Sequence, residues 1–289
     1  MKNKKNILIV GVSSLVGSNL AIELKKDFNV FGTFNKNSKN LKNLKNKKNF
    51  FKVDLSLKEP FKLIKNRSFF CVIWCIHNNQ IKKNIEDYYK INVLGLLKLL
   101  NFLSMKELNK FIFFSSGSLY SPSKNKIKES SKIKLNNNYK TVKYFGEKIC
   151  EMYNKIYNFK LIILRPFTIY GIRQKSKLIF NLTEKIKNNK KIYIDGTKGI
   201  RLSCINVNDV SNIVKYLILN FKKNIAKYNI SSPYNYSITE YCEIISNKLN
   251  KKFKLVKNSK KVLNYISSEN TLIKEFKFIK FEDYVEKNL

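Results

Sequence analysis

Along the first 166 residues, short unbroken apolar runs alternate with stretches in which apolar residues recur every three or four positions. The runs NILIVG (6–11), FNVFGTF (28–34), FFKV (50–53), FFCVIWCI (69–76), KFIFFSS (110–116) and FKLIILRP (159–166) are rich in Ile, Val and Phe and bounded by Gly, Pro, Asn or Ser. Continuous rather than alternating apolarity predicts strands buried on both faces. Between them, SNLAIELKKD, NVLGLLKLLNFLSMKEL and YKTVKYFGEKICEMYNKIY show helical spacing. Strand–helix alternation with doubly buried strands predicts an α/β fold, a doubly wound parallel sheet covered by helices on both sides.

Beyond Pro166 the alternation loosens. A helix over about 176–189 precedes the short strand KKIYIDG; SCINVNDVSNIVKYLI, YNIS, a helix around 239–249 and a Lys-rich tail follow. The division expected is a doubly wound sheet domain over 1–166 and a smaller C-terminal lobe over 167–289, with short returns to the sheet, packed over the strand ends where a substrate would bind. The Asn/Lys run from Asn35 to Asn49 is expected to be a solvated loop or helix.

Composition changes this picture little. The net charge of +37 invites a nucleic-acid reading. Yet only four of the 57 basic residues are arginines (Arg67, Arg165, Arg173, Arg201), and the lysines spread over the whole chain among asparagines. That is a solvated surface, so no specific nucleic-acid partner is expected. Five cysteines without paired spacing fit reduced thiols. Cys71, Cys75 and the single histidine, His77, could share a strand face, but a buried strand explains them better than a metal site does. The N-terminal apolar run breaks at Ser13-Ser14, too early for a secretory signal. No run reaches the ~20 residues of a membrane span. A soluble, cytoplasmic protein without membrane insertion is expected.

The turn after the first strand reads Gly11-Val12-Ser13-Ser14-Leu15-Val16-Gly17. Gly11 allows a tight turn, Gly17 lets a helix lie close on the sheet, and the helix start presents free N–H groups to a pyrophosphate. Serine at 14 takes a place where glycine is expected; its hydroxyl could donate to phosphate instead. At the end of the second strand, Phe34-Asn35-Lys36 lacks the acid that would bind ribose hydroxyls. Removing that repulsion and adding Lys36 leans towards NADP over NAD. Asp54, just after the third strand, is placed to hydrogen-bond the adenine amino group.

Tyr139 and Lys143 lie four apart on one helix face, where an ammonium could lower the phenol pKa and fit it for proton exchange. Spacing alone is weak: Tyr120/Lys124 and Tyr144/Lys148 share it, and three such pairs are about what chance supplies in so lysine-rich a chain. Context favours Tyr139, because KFIFFSSGSLYS upstream ends a buried strand at the sheet edge where such enzymes work.

In order and spacing, the glycine loop, Asp54-Leu55, VIWCI (72–76), NVLG (92–95), FFSSGSLY, Tyr139…Lys143…Gly146-Glu147, LRPFTIYG (164–171), RLSCINVNDV (201–210) and YNIS together resemble the extended short-chain dehydrogenase/reductases. Within these, the closest resemblance is to the NAD-dependent epimerase/dehydratase family, which acts mostly on nucleotide sugars. The resemblance implies a Rossmann-type domain, NADP or NAD as cofactor, and a nucleotide-sugar substrate. It implies Tyr139 as acid/base, Lys143 on the nicotinamide ribose, and Ser116 on the reacting oxygen. Gly11, Ser13, Ser14, Leu15, Val16, Gly17, Asn35, Lys36, Asp54, Leu55, Cys75, Ile76, Asn92, Pro166 and Phe167 would line the cofactor. Ser118, Thr168, Arg173 and Arg201 would face substrate, the arginines gripping phosphates. A homodimer through helices flanking the sheet would suit the family.

Departures narrow the reading. Trp74, His77 and Thr168 stand where the family often has a histidine, a small residue and an asparagine. Gly117 and Ser118 replace the Asp-Glu pair of the 4,6-dehydratases, so dehydration is not expected. A 4-epimerase and a 4-ketoreductase remain, the missing acid tilting towards the reductase. Reduction of a non-sugar carbonyl and a non-catalytic NADP-binding regulator are the alternatives.

Overall fold

A computed structural model describes residues 4–36, 39–41, 47–76, 85–104, 108–268, 271–274 and 276–289. In chain order the elements are β1 (Asn6–Val10), α1 (Leu15–Leu24), β2 (Asn29–Phe34), β3 (Phe50–Lys52), β4 (Cys71–Trp74) and α2 (Ile85–Tyr89). A π-helical turn (Lys90–Leu94) then leads into α3 (Gly95–Ser104), β5 (Lys110–Phe114), α4 (Asn138–Tyr157), β6 (Lys160–Pro166), β7 (Ile169–Tyr170), α5 (Leu178–Lys187) and β8 (Ile192–Asp195). The chain continues through β9 (Arg201–Leu202), β10 (Ile205–Asn206), α6 (Val207–Asn220), β11 (Ile225–Ile230), β12 (Tyr236–Ser237), α7 (Ile238–Leu249), β13 (Leu255–Asn258), α8 (Thr271–Lys274) and α9 (Phe281–Asn288).

Seven strands form one sheet in the order β11-β6-β5-β4-β1-β2-β3. The pairs β2–β3, β1–β2, β1–β4, β4–β5 and β5–β6 are all parallel. From β1 the chain first winds outward to β2 and β3, then returns to β4 on the other side. The reversal puts a crevice at the carboxyl end of β1, where ligands of such sheets bind. Both faces are dry, as the continuous apolar runs require. Leu8, Val10, Val72, Trp74, Phe111 and Phe113 share one cluster with Leu96, Leu99 and Leu103 of α3 and with Cys150 and Tyr153 of α4. The alternate positions Ile7, Ile9, Ile73 and Ile112 are equally buried. The doubly wound parallel sheet expected from the sequence is the one observed.

Two compact units divide the chain. The first comprises residues 1–119, 134–165 and 211–228; the second comprises 120–133, 166–210 and 229–289. The second holds the two-stranded ladders β7·β10, β9·β12 and β8·β13 and its own core, in which Tyr170, Ile186, Tyr241, Ile245 and Phe281 pack together. Of the Asn/Lys run from 35 to 49, the described parts include two short 3-10 turns, Lys39–Leu41 and Lys47–Asn49. His77 lies outside the described residues. All five cysteines are free thiols. Among the described residues, no helix is long and apolar enough to cross a membrane.

Candidate active site

The turn after β1 is built by its two glycines. Gly11 has φ +92°, open to glycine at little cost, and a Cβ there would press on Ile76 at 2.9 Å. A Cβ on Gly17 would land on the carbonyl oxygen of Gly11, so α1 can start this close to β1 only with glycine. The amides of Gly11 and Val12 both donate to the carbonyl of Thr33, tying the turn to β2. Ser14, in the middle position, is the N-cap of α1: its Oγ accepts from the amide of Gly17 at 3.0 Å. That leaves the hydroxyl hydrogen to donate elsewhere. The amides of Leu15 and Val16 precede the first i→i−4 bond of the helix, made by Ser18 to Ser14. Asn40, which sequence reasoning missed, donates from Nδ2 to the carbonyl of Ser13 at 2.9 Å.

Past β3, Asp54 Oδ1 accepts from the amide (2.9 Å) and hydroxyl (2.7 Å) of Ser56. These bonds hold its carboxyl below the usual range, with further help from the charges of Lys36 and Lys98. Asn35 is half-buried and Lys36 exposed at the end of β2. Lys98 also donates to the carbonyls of Leu55 and Leu57, and the Leu55 side chain is buried beside Gly95.

The catalytic candidates converge at the carboxyl end of β5. Ser116 and Ser118 share a hydroxyl–hydroxyl hydrogen bond of 2.8 Å, and the amide of Ser118 donates to Ser116 Oγ at 3.1 Å. Tyr139 sits in the first turn of α4, whose N-cap Asn137 accepts from the amide of Lys140. Its phenol is hydrogen-bonded to both serines; burial raises its pKa, and the two hydroxyls pull it down. Lys143, one turn on, donates to the carbonyl of Phe114 at 2.7 Å and of Ile76 at 3.3 Å. Burial lowers its pKa to about 8, against the pull of Cys75 and Glu147. The hydroxyls of Ser116 and Ser118 oppose burial at the phenol, while the ammonium is anchored to strand-end carbonyls. Ser118 belongs to this hydroxyl cluster.

Two further groups stand here to which the sequence reading gave no role. Tyr88 is close enough to Tyr139 for the two phenols to affect each other; burial, then Tyr139 and Tyr89, push Tyr88 up to about 12. Asn92 is buried and donates to the Tyr88 carbonyl at 2.8 Å. Beneath the serines, Glu147 takes bidentate bonds from Arg165, at 2.8 and 2.6 Å, and a hydrogen bond from Ser115 Oγ.

The other Tyr-x-x-x-Lys pairs are ordinary. Tyr120 is buried and donates to Asn229 Oδ1 at 3.0 Å. Lys148 pairs with Glu151 at 2.9 Å and packs over Tyr144.

Within the second unit, Pro166 is half-buried and Phe167 is buried with its ring 4.7 Å from that of Tyr265. The Thr168 hydroxyl bonds the Cys204 thiol, which burial pushes up to about 12. Arg173 adopts a left-handed backbone, φ +74°. Arg201 pairs with Glu240 at 2.6 Å and donates to the carbonyl of Asn235 at 2.8 Å. The acid was not anticipated, and it means that a phosphate at Arg201 would meet a guanidinium already charge-paired.

A parallel sheet with a glycine turn at its switch point and a Ser–Tyr–Lys group at the neighbouring strand end defines a dinucleotide-dependent short-chain dehydrogenase/reductase. Residues 7–231 match the NAD dependent epimerase/dehydratase family. The chain belongs to that family and is an enzyme of the extended short-chain type. It is 26% identical over 253 residues to a Methanocaldococcus jannaschii protein described as "Putative UDP-glucose 4-epimerase", covering 84% of this chain and 82% of that one. The fold superposes with TM-score 0.85 on the NAD complex of UDP-glucuronic acid 4-epimerase from Bacillus cereus (22% identity, 97% and 94% of the two chains). It matches UDP-N-acetylglucosamine 4-epimerase from Methanobrevibacter ruminantium M1 equally well, with TM-score 0.85, 21% identity, and 99% and 97% coverage.

Proposed function

We propose that the chain is a nucleotide-sugar 4-epimerase working with NAD, and that Tyr139 is its acid/base. The observation that carries this is the phenol of Tyr139 held jointly by the hydroxyls of Ser116 and Ser118 at the carboxyl edge of the sheet. The residues fit a dinucleotide. The two glycines bring bare backbone to the turn, and Ser14 keeps a donor beside the amides of Leu15 and Val16 for a pyrophosphate. Asp54 keeps its carboxylate ionised for the adenine amino group. Bound NAD would accept a hydride from carbon 4 of the sugar and return it to the opposite face.

The protein's own part is proton traffic. Tyr139 takes the proton from the sugar 4-hydroxyl and gives it back, while Ser116 and Ser118 hold the oxygen line through which it moves. Lys143 adds positive charge one turn away and donors for a ribose hydroxyl. Thr168, Arg173 and Arg201 are assigned to the nucleotide sugar.

NAD is favoured over NADP because Lys36, the one charge that argued for a 2′-phosphate, already lies within reach of the Asp54 carboxylate. The absence of an acid after Phe34 supports a second reading, an NADPH-dependent 4-ketoreductase. A homodimer is proposed through α4, whose exposed side carries Phe145, Met152 and Ile156.

The test is isotopic. UDP-glucose deuterated at carbon 4, and the corresponding N-acetylglucosamine and glucuronic acid compounds, are incubated with enzyme and catalytic NAD. Epimerised product that retains the deuterium supports the proposal. Product that forms only from a 4-keto sugar with stoichiometric NADPH overturns it in favour of the reductase.

A further inference from the structure

The carboxylate of Glu147 is fully buried, and so is Arg165, exposed by only 2%. Two parallel bonds join them, Arg165 Nε to Oε1 at 2.8 Å and Nη2 to Oε2 at 2.6 Å. A buried charge pair of this kind is weak evidence for stability, because desolvation offsets most of the attraction. The arrangement has a further member. Ser115 Oγ donates to Oε1, the same oxygen that Arg165 Nε holds.

The three residues come from three different elements. Arg165 is in β6, Glu147 is in α4, and Ser115 is the first residue after β5. Ser115 is held on its backbone too, its amide donating to the carbonyl of Leu164 beside Arg165 at 2.8 Å. Its neighbour Ser116 bonds the phenol of Tyr139, eight residues before Glu147 on the same helix. One carboxylate therefore fixes both the helix that carries the phenol and the strand end that carries the hydroxyls meeting it.

We propose that Glu147, locked by Arg165, is the positioning residue of the active site: through Ser115 it sets the register between the Ser116/Ser118 hydroxyls and the Tyr139 phenol. This rests on the reading of Tyr139 as acid/base. Burial keeps water from competing for the carboxylate, so the register is held by direct bonds with little slack. A bidentate guanidinium fixes the carboxylate plane as a lysine could not.

The proposal has a spectroscopic consequence. Hydrogen bonds from the serines favour the phenolate, so a loosened register weakens them and raises the Tyr139 pKa. Among the described residues, Tyr88 on α2 affects the same phenol, and the charged group one turn along α4 is Lys143, anchored to the carbonyls of Ile76 and Phe114.

The experiment uses the NAD-bound enzyme labelled with ring-13C tyrosine, the Tyr139 resonance being assigned by its absence in Tyr139→Phe. Ser115→Ala removes the tie and leaves the Glu147–Arg165 pair whole. It is expected to raise the titration midpoint of Tyr139 by about one pH unit, with NAD affinity changed less than about twofold. Ser115→Thr, which restores a hydroxyl, returns the midpoint to the wild-type value. An unchanged midpoint in Ser115→Ala, no rescue by Ser115→Thr, or a shift accompanied by lost NAD binding overturns the proposal. Failure of the acid/base reading is separate. It would be seen as full turnover in Tyr139→Phe, whatever the titrations of the Ser115 variants show.

Discussion

Lys143 gives its shortest hydrogen bond, 2.7 Å, to the carbonyl oxygen of Phe114, and a longer one of 3.3 Å to that of Ile76. A buried ammonium is thus bound to the carboxyl ends of β4 and β5, on either side of which the cofactor and the acid/base are proposed to work. Because burial lowers its pKa to about 8, the folded protein releases this proton before the unfolded chain does. Between about pH 8 and 10.5 the unfolded chain holds more protons, so the contribution to stability rises with pH; below pH 8 the full cost of burying the charge is present. Lys143→Met should therefore show its largest gain in unfolding temperature relative to wild type below pH 8, the difference shrinking by pH 10. The same variant should lose at least about a hundredfold in turnover. Thermal melts across this range and an activity assay check both.

The glycine turn makes a graded prediction. Gly17→Ala forces a methyl group onto the Gly11 carbonyl and should abolish NAD binding, measured by titration calorimetry. Ser14→Ala removes the cap of α1 and should cost about 1 kcal/mol in urea unfolding. Ser14→Gly should cost only a few tenths in stability and weaken NAD binding through the lost hydroxyl donor.

Asp209 is buried, and burial lifts its pKa to about 6, opposed by the amide of Ile279 that donates to Oδ2 at 3.1 Å. Its folded pKa is raised, so the protonated form is favoured in the folded state and stability falls as pH rises from about 4 to about 6. Above that the cost of the buried charge is complete. Asp209→Asn keeps an acceptor for Ile279 and removes the charge. It should stabilise the protein at pH 7 by about 1–3 kcal/mol and have no such effect near pH 4, as denaturant titrations at the two pH values would read.

Arg201 separates two roles by kinetics. If it serves the substrate phosphates as proposed, Arg201→Met should raise KM for the UDP-sugar at least about tenfold with little change in kcat. If its work ends with Glu240, both Arg201→Met and Glu240→Gln should lower stability and leave KM alone.

How much of this was readable beforehand follows the physics of each signal. Buried parallel strands leave continuous apolar runs, so β1 to β6 stand where the runs predict them, β4 as Cys71–Trp74 inside the run 69–76. The helix bearing Tyr139 begins one residue before it, at Asn138, as the spacing predicts. Gly11 and Gly17 were legible because only glycine tolerates those positions. The π-helical turn at Lys90–Leu94 was not, since a one-residue slip in hydrogen bonding scarcely disturbs helical periodicity. Pairings across the sequence were equally hidden. Nothing local marks Arg165, Glu147 and Ser115 as partners, or Arg201 and Glu240, because residues so far apart meet only once the fold is formed.

The central claim is that the Tyr139 phenol moves the proton. Its most direct test is the turnover of Tyr139→Phe on the deuterated UDP-sugar that wild type converts, with NAD affinity measured on the same preparation. The account predicts NAD binding within about twofold of wild type and turnover reduced by about a hundredfold or more. Turnover within a few-fold of wild type, with NAD bound equally well, would contradict it.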